Sequence, residues 1–201
     1  MTHALTHLQA ADTRLAAVIE KVGPYVQEFS QPVFASLARS IVYQQLSTKV
    51  AATIYSRLQA ALAPFPVEAE GVLRLKPEEM RAFGFSNAKV AYVRSLAEKT
   101  LDGTVDFAIL PEMPDREVIA HLTQVKGVGE WTAQMFLTFA LRRPDVLPCA
   151  DLGIRTAMKN LYRMRELPKP IRMEKVARPW RPYASVACWY LWRSLDNPGQ
   201  M

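Results

Sequence analysis

The stretch Leu122-Thr123-Gln124-Val125-Lys126-Gly127-Val128-Gly129-Glu130-Trp131-Thr132-Ala133 joins two helical segments through a Gly-x-Gly turn with one small apolar residue at its centre. Glycines let the backbone turn tightly and come close to another surface. The second helix begins at the turn, so its first N–H groups and the positive end of its dipole point outward. A phosphate suits such a place. The plain alternative is an ordinary helix–turn–helix connection with no ligand, and a lone Gly-x-Gly leaves that alternative favoured.

Working outward, helical periodicity dominates and strict alternation is nearly absent. From Ser47, the residues Val50, Ile54, Leu58 and Leu62 recur at steps of four beside Ala51 and Tyr55, which predicts an amphipathic helix. Upstream, Ser30-Gln31-Pro32 offers a cap and an early-turn proline for a helix carrying Val33, Phe34, Leu37, Ile41 and Val42. Asn87 to Thr100 repeats the pattern with Val90, Val93, Leu96 and Ala97. Pro114-Asp115 opens a helix through Val118, Ile119 and Leu122, Trp131 to Arg142 forms another ended by Pro144, and the last runs from about Arg181 to Leu195. Prolines fall between these segments. The expectation is an all-α fold of roughly eight to ten helices, with no internal repeat or low-complexity linker.

The 201 residues are half hydrophobic, enough for one domain or two small lobes with a real core. Cys149 and Cys188 are the only cysteines, which excludes a disulfide framework and any four-cysteine zinc or iron–sulfur site. The N-terminus lacks a basic segment followed by an apolar run, and no stretch of eighteen uncharged apolar residues occurs, which argues against secretion and membrane spanning. The net charge of +6 is unevenly placed: Arg142 to Arg193 holds twelve basic and four acidic residues, while the remainder holds 13 and 15. Such clustering fits a surface that displaces counterions from a polyanion, and fits a solvated face equally well.

About twenty residues after the turn, Arg142-Arg143-Pro144-Asp145-Val146-Leu147-Pro148-Cys149-Ala150-Asp151-Leu152-Gly153-Ile154-Arg155 closes a second block. Together, Leu122 to Arg155 resemble the signature of the HhH-GPD superfamily of DNA base-excision glycosylases, with the helix-hairpin-helix at about 114–142. The resemblance extends further. Ser40-Ile41-Val42-Tyr43-Gln44-Gln45-Leu46-Ser47 is similar to the family's strand-penetrating loop, Gly84-Phe85-Ser86-Asn87-Ala88-Lys89 to its mid-domain turn, and Trp180-Arg181-Pro182-Tyr183-Ala184-Ser185 to its C-terminal pocket helix. The branch most resembled is that of 3-methyladenine DNA glycosylase II. It implies residues 1–201 as one HhH-GPD domain of two helical lobes, lacking the N-terminal sheet domain of some members.

The resemblance assigns roles. Asp151 matches the catalytic aspartate, although its position before Ile154 and Met158 also reads as a helix N-cap. Trp131, Trp180 and Tyr183 match the aromatic base pocket, with Met135 where the branch often carries another aromatic. A less aromatic pocket shifts selectivity toward the intrinsic lability of the base. Gln44 and Gln45 match the wedge that fills the gap left by an extruded base; many relatives carry leucine at the position of Gln45. Lys126, Gly127, Val128, Gly129, Thr132 and Arg155 become contacts to the DNA backbone. Bifunctional relatives place a lysine nucleophile two residues after Gly-Val-Gly, where this chain has Trp131. Carbonyls near Thr123, Val125 and Val128 are implied ligands for a structural Na or K ion, with no cofactor needed for catalysis. His3, His7 and His121 show no metal-ligand spacing, read as exposed and receive no role.

The resemblance therefore implies a monofunctional glycosylase that releases alkylated purines, of the 3-methyladenine and 7-methylguanine type, from duplex DNA. It would act as a monomer in the cytoplasm, or in the nucleus of a eukaryote. The alternatives are a non-catalytic helix-hairpin-helix DNA-binding module and, more weakly, a glycosylase-lyase.

Overall fold

The computed structural model describes residues 1–196, and among them every regular element is helical. The chain divides into two compact units. One combines residues 1–29 with the chain from 142 onward, and the other is residues 30–141.

The first unit contains α1 (Thr2–Ala11), α2 (Thr13–Val22), α10 (Leu152–Leu161), α11 (Pro170–Ala177) and α12 (Ala184–Leu195). Its core is formed by Leu8, Leu15, Ile154, Met158, Met173, Trp180, Tyr190 and Leu191. α12 is buried along most of its length because it packs on both α2 and α10. Asp12 sits at the junction of α1 and α2, where its carboxylate accepts the N–H groups of Arg14 and Leu15 and the side-chain donors of Tyr162 and Trp180. Burial works to raise the Asp12 pKa, but these four hydrogen bonds prevail and hold it below the ordinary carboxylate value.

The second unit contains α3 (Phe34–Tyr43), α4 (Thr48–Leu62), α5 (Ala69–Arg74), α6 (Pro77–Ala82), α7 (Asn87–Leu101), α8 (Asp115–Leu122) and α9 (Glu130–Phe139). α7 is its axis, packed against α3, α5 and α6, with Val90, Val93, Leu96 and Ala97 buried as the periodicity requires. The Ser86 hydroxyl caps it by accepting the Lys89 N–H, and Ser47 caps α4 through the Val50 N–H.

Several sequence expectations shift. Twelve α-helices occur among the described residues, more than the eight to ten expected, because short helices between prolines carry too few turns to show a period. α3 begins at Phe34 with Val33 as its N-cap, since Ser30 is held elsewhere, its N–H on the Phe139 carbonyl at 2.9 Å. In α4 the buried stripe is Ala51, Ile54, Tyr55 and Leu58, and Val50 is exposed. α9 stops at Phe139 and the Leu141 N–H bonds back to the Phe136 carbonyl, ahead of Arg142 in the left-handed region at φ +56°. α12 begins at Ala184, three residues after the expected start.

Candidate active site and DNA interface

In the unit of residues 30–141, the hairpin between α8 and α9 is anchored by Val125 and Val128, both buried, with the Val128 N–H on the Val125 carbonyl at 3.1 Å. Lys126 and Gly127 are exposed between them, and Gly129 just after them. Gly127 has φ +78°, and a Cβ there would lie 2.2 Å from the Tyr92 ring, so both conformation and space demand glycine. Gly129 is the N-cap of α9 and supplies no side chain, leaving the start of that helix to backbone groups. Glu130 in the first turn accepts from the Gln134 amide at 3.1 Å, which draws its carboxylate back along the helix.

The loop after α3 reaches this hairpin. Gln44 donates its side-chain amide to the Gly127 carbonyl at 3.0 Å and to the Thr132 hydroxyl at 3.3 Å. Gln45 stands in the left-handed region at φ +56°, exposed and uncommon for a residue with a Cβ. Ser40, Tyr43, Gln44, Gln45, Gly127, Trp131, Thr132 and Met135 together line a cleft of about 540 Å³. That is ample for one base. Trp131 is 41% exposed at its rim, and Met135 is half-buried one helical turn on. The hairpin, the Gln44–Gln45 loop, Trp131 and Met135, all singled out in the sequence, thus lie together around one cleft. Thr132 is itself buried, so its hydroxyl serves the Gln44 contact.

In the other unit, Asp151 is both an N-cap and a held carboxylate. It is 8% exposed, and its Oδ1 accepts the Ile154 N–H at 2.7 Å and the Trp192 indole N–H at 3.0 Å. Trp192, a residue of α12 outside the expected site, thus fixes the carboxylate through its indole. Gly153 makes room for this pair, since a Cβ there would lie 3.1 Å from both Asp151 Oδ1 and the Trp192 ring. Arg155 donates its Nε to the Pro168 carbonyl at 3.2 Å, tying its guanidinium to the following loop.

One expected pocket residue needs correction. Trp180 is fully buried, with its indole N–H on Asp12, and a ring without exposed surface cannot stack on an incoming base. Tyr183 is half-buried; its hydroxyl bonds His3 Nδ1 at 3.0 Å and its ring meets the edges of His3 and His7. The histidines therefore dock α1 onto the Tyr183 region, and His7 also bonds the Pro179 carbonyl. His121, half-buried, bonds the Thr104 carbonyl. The basic stretch is partly neutralised as well, because Arg181 pairs with both Asp145 and Glu174 at 3.1 Å.

The hairpin and the Asp151 block both lie inside the match to the family described as HhH-GPD superfamily base excision DNA repair protein, which spans residues 38–182. The chain belongs to this family. It is 34% identical to DNA-3-methyladenine glycosylase 1 of Schizosaccharomyces pombe, over 96% of this chain and 87% of that one. Among solved structures it is similar to the S. pombe 3-methyladenine DNA glycosylase in complex with abasic DNA, with a TM-score of 0.86, 33% identity and coverage of 96% and 97%. A DNA-3-methyladenine glycosidase from Bacillus halodurans gives a TM-score of 0.84 at 36% identity, over 95% of this chain and 88% of that one.

Proposed function

We infer that the chain is a monofunctional DNA glycosylase of base-excision repair, which extrudes an alkylated purine from duplex DNA and hydrolyses its N-glycosyl bond. The observation that carries this reading is Asp151, a nearly buried carboxylate held by one backbone and one indole N–H in a chain of this family. As the bond between base and sugar breaks, its electron pair leaves with the base and positive charge builds on the deoxyribose, as in other oxocarbenium-like glycoside cleavage. A fixed carboxylate about 4 Å away stabilises that charge by about 4 kcal/mol at an effective dielectric near 20, roughly a thousandfold in rate. Water then adds to the anomeric carbon, and its proton passes to Asp151 or to solvent. An alkylated purine already carries positive charge and departs neutral, so no strong general acid is required.

The remaining roles follow residue by residue. Gln45 fills the gap in the stack, with Gln44 anchoring its loop to the hairpin. Trp131 offers an exposed indole face to a cationic base, an interaction of about 1 to 3 kcal/mol, and Met135 supplies soft apolar contact below it. Lys126 and the backbone N–H groups at the start of α9 hold phosphate. Trp131 offers no amine, so the Schiff-base chemistry of a lyase has no nucleophile there.

Hydrolysis in this family needs no cofactor. The hairpin carbonyls of Thr123, Val125 and Val128 suit a monovalent cation, being neutral oxygen donors on one turn; the Val125 oxygen keeps a lone pair beyond its bond to Val128. Among the described residues no group of three or more His, Cys, Asp or Glu forms a metal cluster, and no helix is long and apolar enough to cross a membrane. The substrate places the enzyme, acting as a monomer, in the cytoplasm or in a eukaryotic nucleus.

Incubation of the purified chain with methylated duplex DNA, followed by chromatography of the released bases, tests this reading. Free 3-methyladenine or 7-methylguanine is expected, with no adduct trapped by borohydride. Binding without any base release would favour a non-catalytic module, and a trapped adduct would identify a lyase.

A further inference from the structure

The loop carrying Gln45 follows a helix end that is held from outside. α3 finishes at Tyr43, and the last carbonyls of any α-helix have no partner within it. Here the Lys89 ammonium, from the first turn of α7, donates to the carbonyls of Ile41 at 2.8 Å, Val42 at 2.7 Å and Gln44 at 2.7 Å. An ammonium has three N–H donors and no acceptor, so this set uses its full capacity. The cation also lies at the negative end of the α3 dipole. Lys89 is half-buried, and burial pulls its pKa below the ordinary lysine value.

Two further residues on the same face of α7 organise the hairpin. The Tyr92 ring covers Gly127, and the Ser95 hydroxyl accepts the Lys126 N–H at 3.2 Å. Residues 89, 92 and 95 follow one another at helical spacing, so a single rigid helix holds both loops. Gln44 closes the arrangement by bridging the two.

We propose that Lys89 is a positioning residue for base extrusion: its ammonium locks the Gln44–Gln45 loop in the conformation that presents Gln45 to the gap in the stack. The proposal rests on the reading of that loop as the wedge. The wedge matters in proportion to what extrusion costs, and a mismatched lesion is cheaper to extrude than a paired one.

Lys89→Met keeps the length and apolar stem of the side chain and removes all three donors. The test measures single-turnover base release from two duplexes, one with the methylated purine correctly paired and one with it mismatched, for wild type, Lys89→Met and Gln45→Ala. The paired-to-mismatched rate ratio is expected to fall about tenfold in Lys89→Met, and by a similar factor in Gln45→Ala. A general loss of structure would lower both rates together and leave the ratio unchanged. Should Lys89→Met fail to fold, Lys89→Gln, which keeps two N–H donors, is expected to lower the ratio by a smaller factor. A folded variant with the wild-type ratio overturns the proposal. An unchanged ratio in Gln45→Ala, with a reduced one in Lys89→Met, instead overturns the assignment of Gln45 as wedge, and a wild-type chain that releases no base from either duplex overturns both.

Discussion

In the unit formed by both ends of the chain, the Asp151 carboxylate is fixed by the backbone three residues further on and by one indole from α12. In the unit of residues 30–141, the Gln44–Gln45 loop and the 125–129 hairpin are fixed by α7 through an ammonium, an aromatic ring and a hydroxyl. The carboxylate thus joins a local contact, the helix cap, to one contact brought by the packing of α12. The two loops owe their shape to a distant helix. On the proposed function, a group that stabilises charge needs one rigid position, whereas loops that would grip and enter DNA need their spacing set jointly.

The hairpin is where this contrast is easiest to break. Gly127→Ala forces a Cβ into the Tyr92 ring and penalises the left-handed backbone, and a loss of about 2 to 4 kcal/mol of stability is expected, with weakened DNA binding. Thermal unfolding and a binding titration check it. In the double variant with Tyr92→Ala the steric part returns and the backbone part remains.

The other unit is sharpened by acid. Asp12 has its pKa lowered in the folded chain, so its contribution is present above the unfolded carboxylate pKa of about 3.9 and is lost as pH falls through the depressed folded value. Asp12→Asn is expected to destabilise by about 1 to 3 kcal/mol at neutral pH, by weakening bonds to four donors. Denaturant unfolding at pH values below the depressed folded pKa should bring variant and wild type together; a constant gap would refute the assignment.

The smallest expected effect lies beside the carboxylate. Trp192→Phe keeps an aromatic ring and deletes one N–H bond to Asp151. Release of base in single-turnover kinetics should slow about fivefold, equivalent to about 1 kcal/mol, with the KM for DNA unchanged.

What could be read from the sequence follows the same division. Asp151, Ser47 and Ser86 stand at helix starts where capping chemistry is local, and Gly127 is glycine because a turn requires it. Lys89 is legible only as the end of the mid-domain turn, because an early-helix lysine reads as solvated and its three carbonyls lie 45 to 48 residues away. The partners of the tryptophans are hidden from the sequence for a related reason. Trp180 and Trp192 differ in what the fold packs around them, one against Asp12 and the other against Asp151, and neither composition nor period carries that information.

The most direct test replaces Asp151 by asparagine, which preserves shape and removes charge, and measures binding to methylated duplex DNA alongside single-turnover base release. Wild-type affinity with release slowed about a thousandfold is the expected result. Release at the wild-type rate would contradict the account.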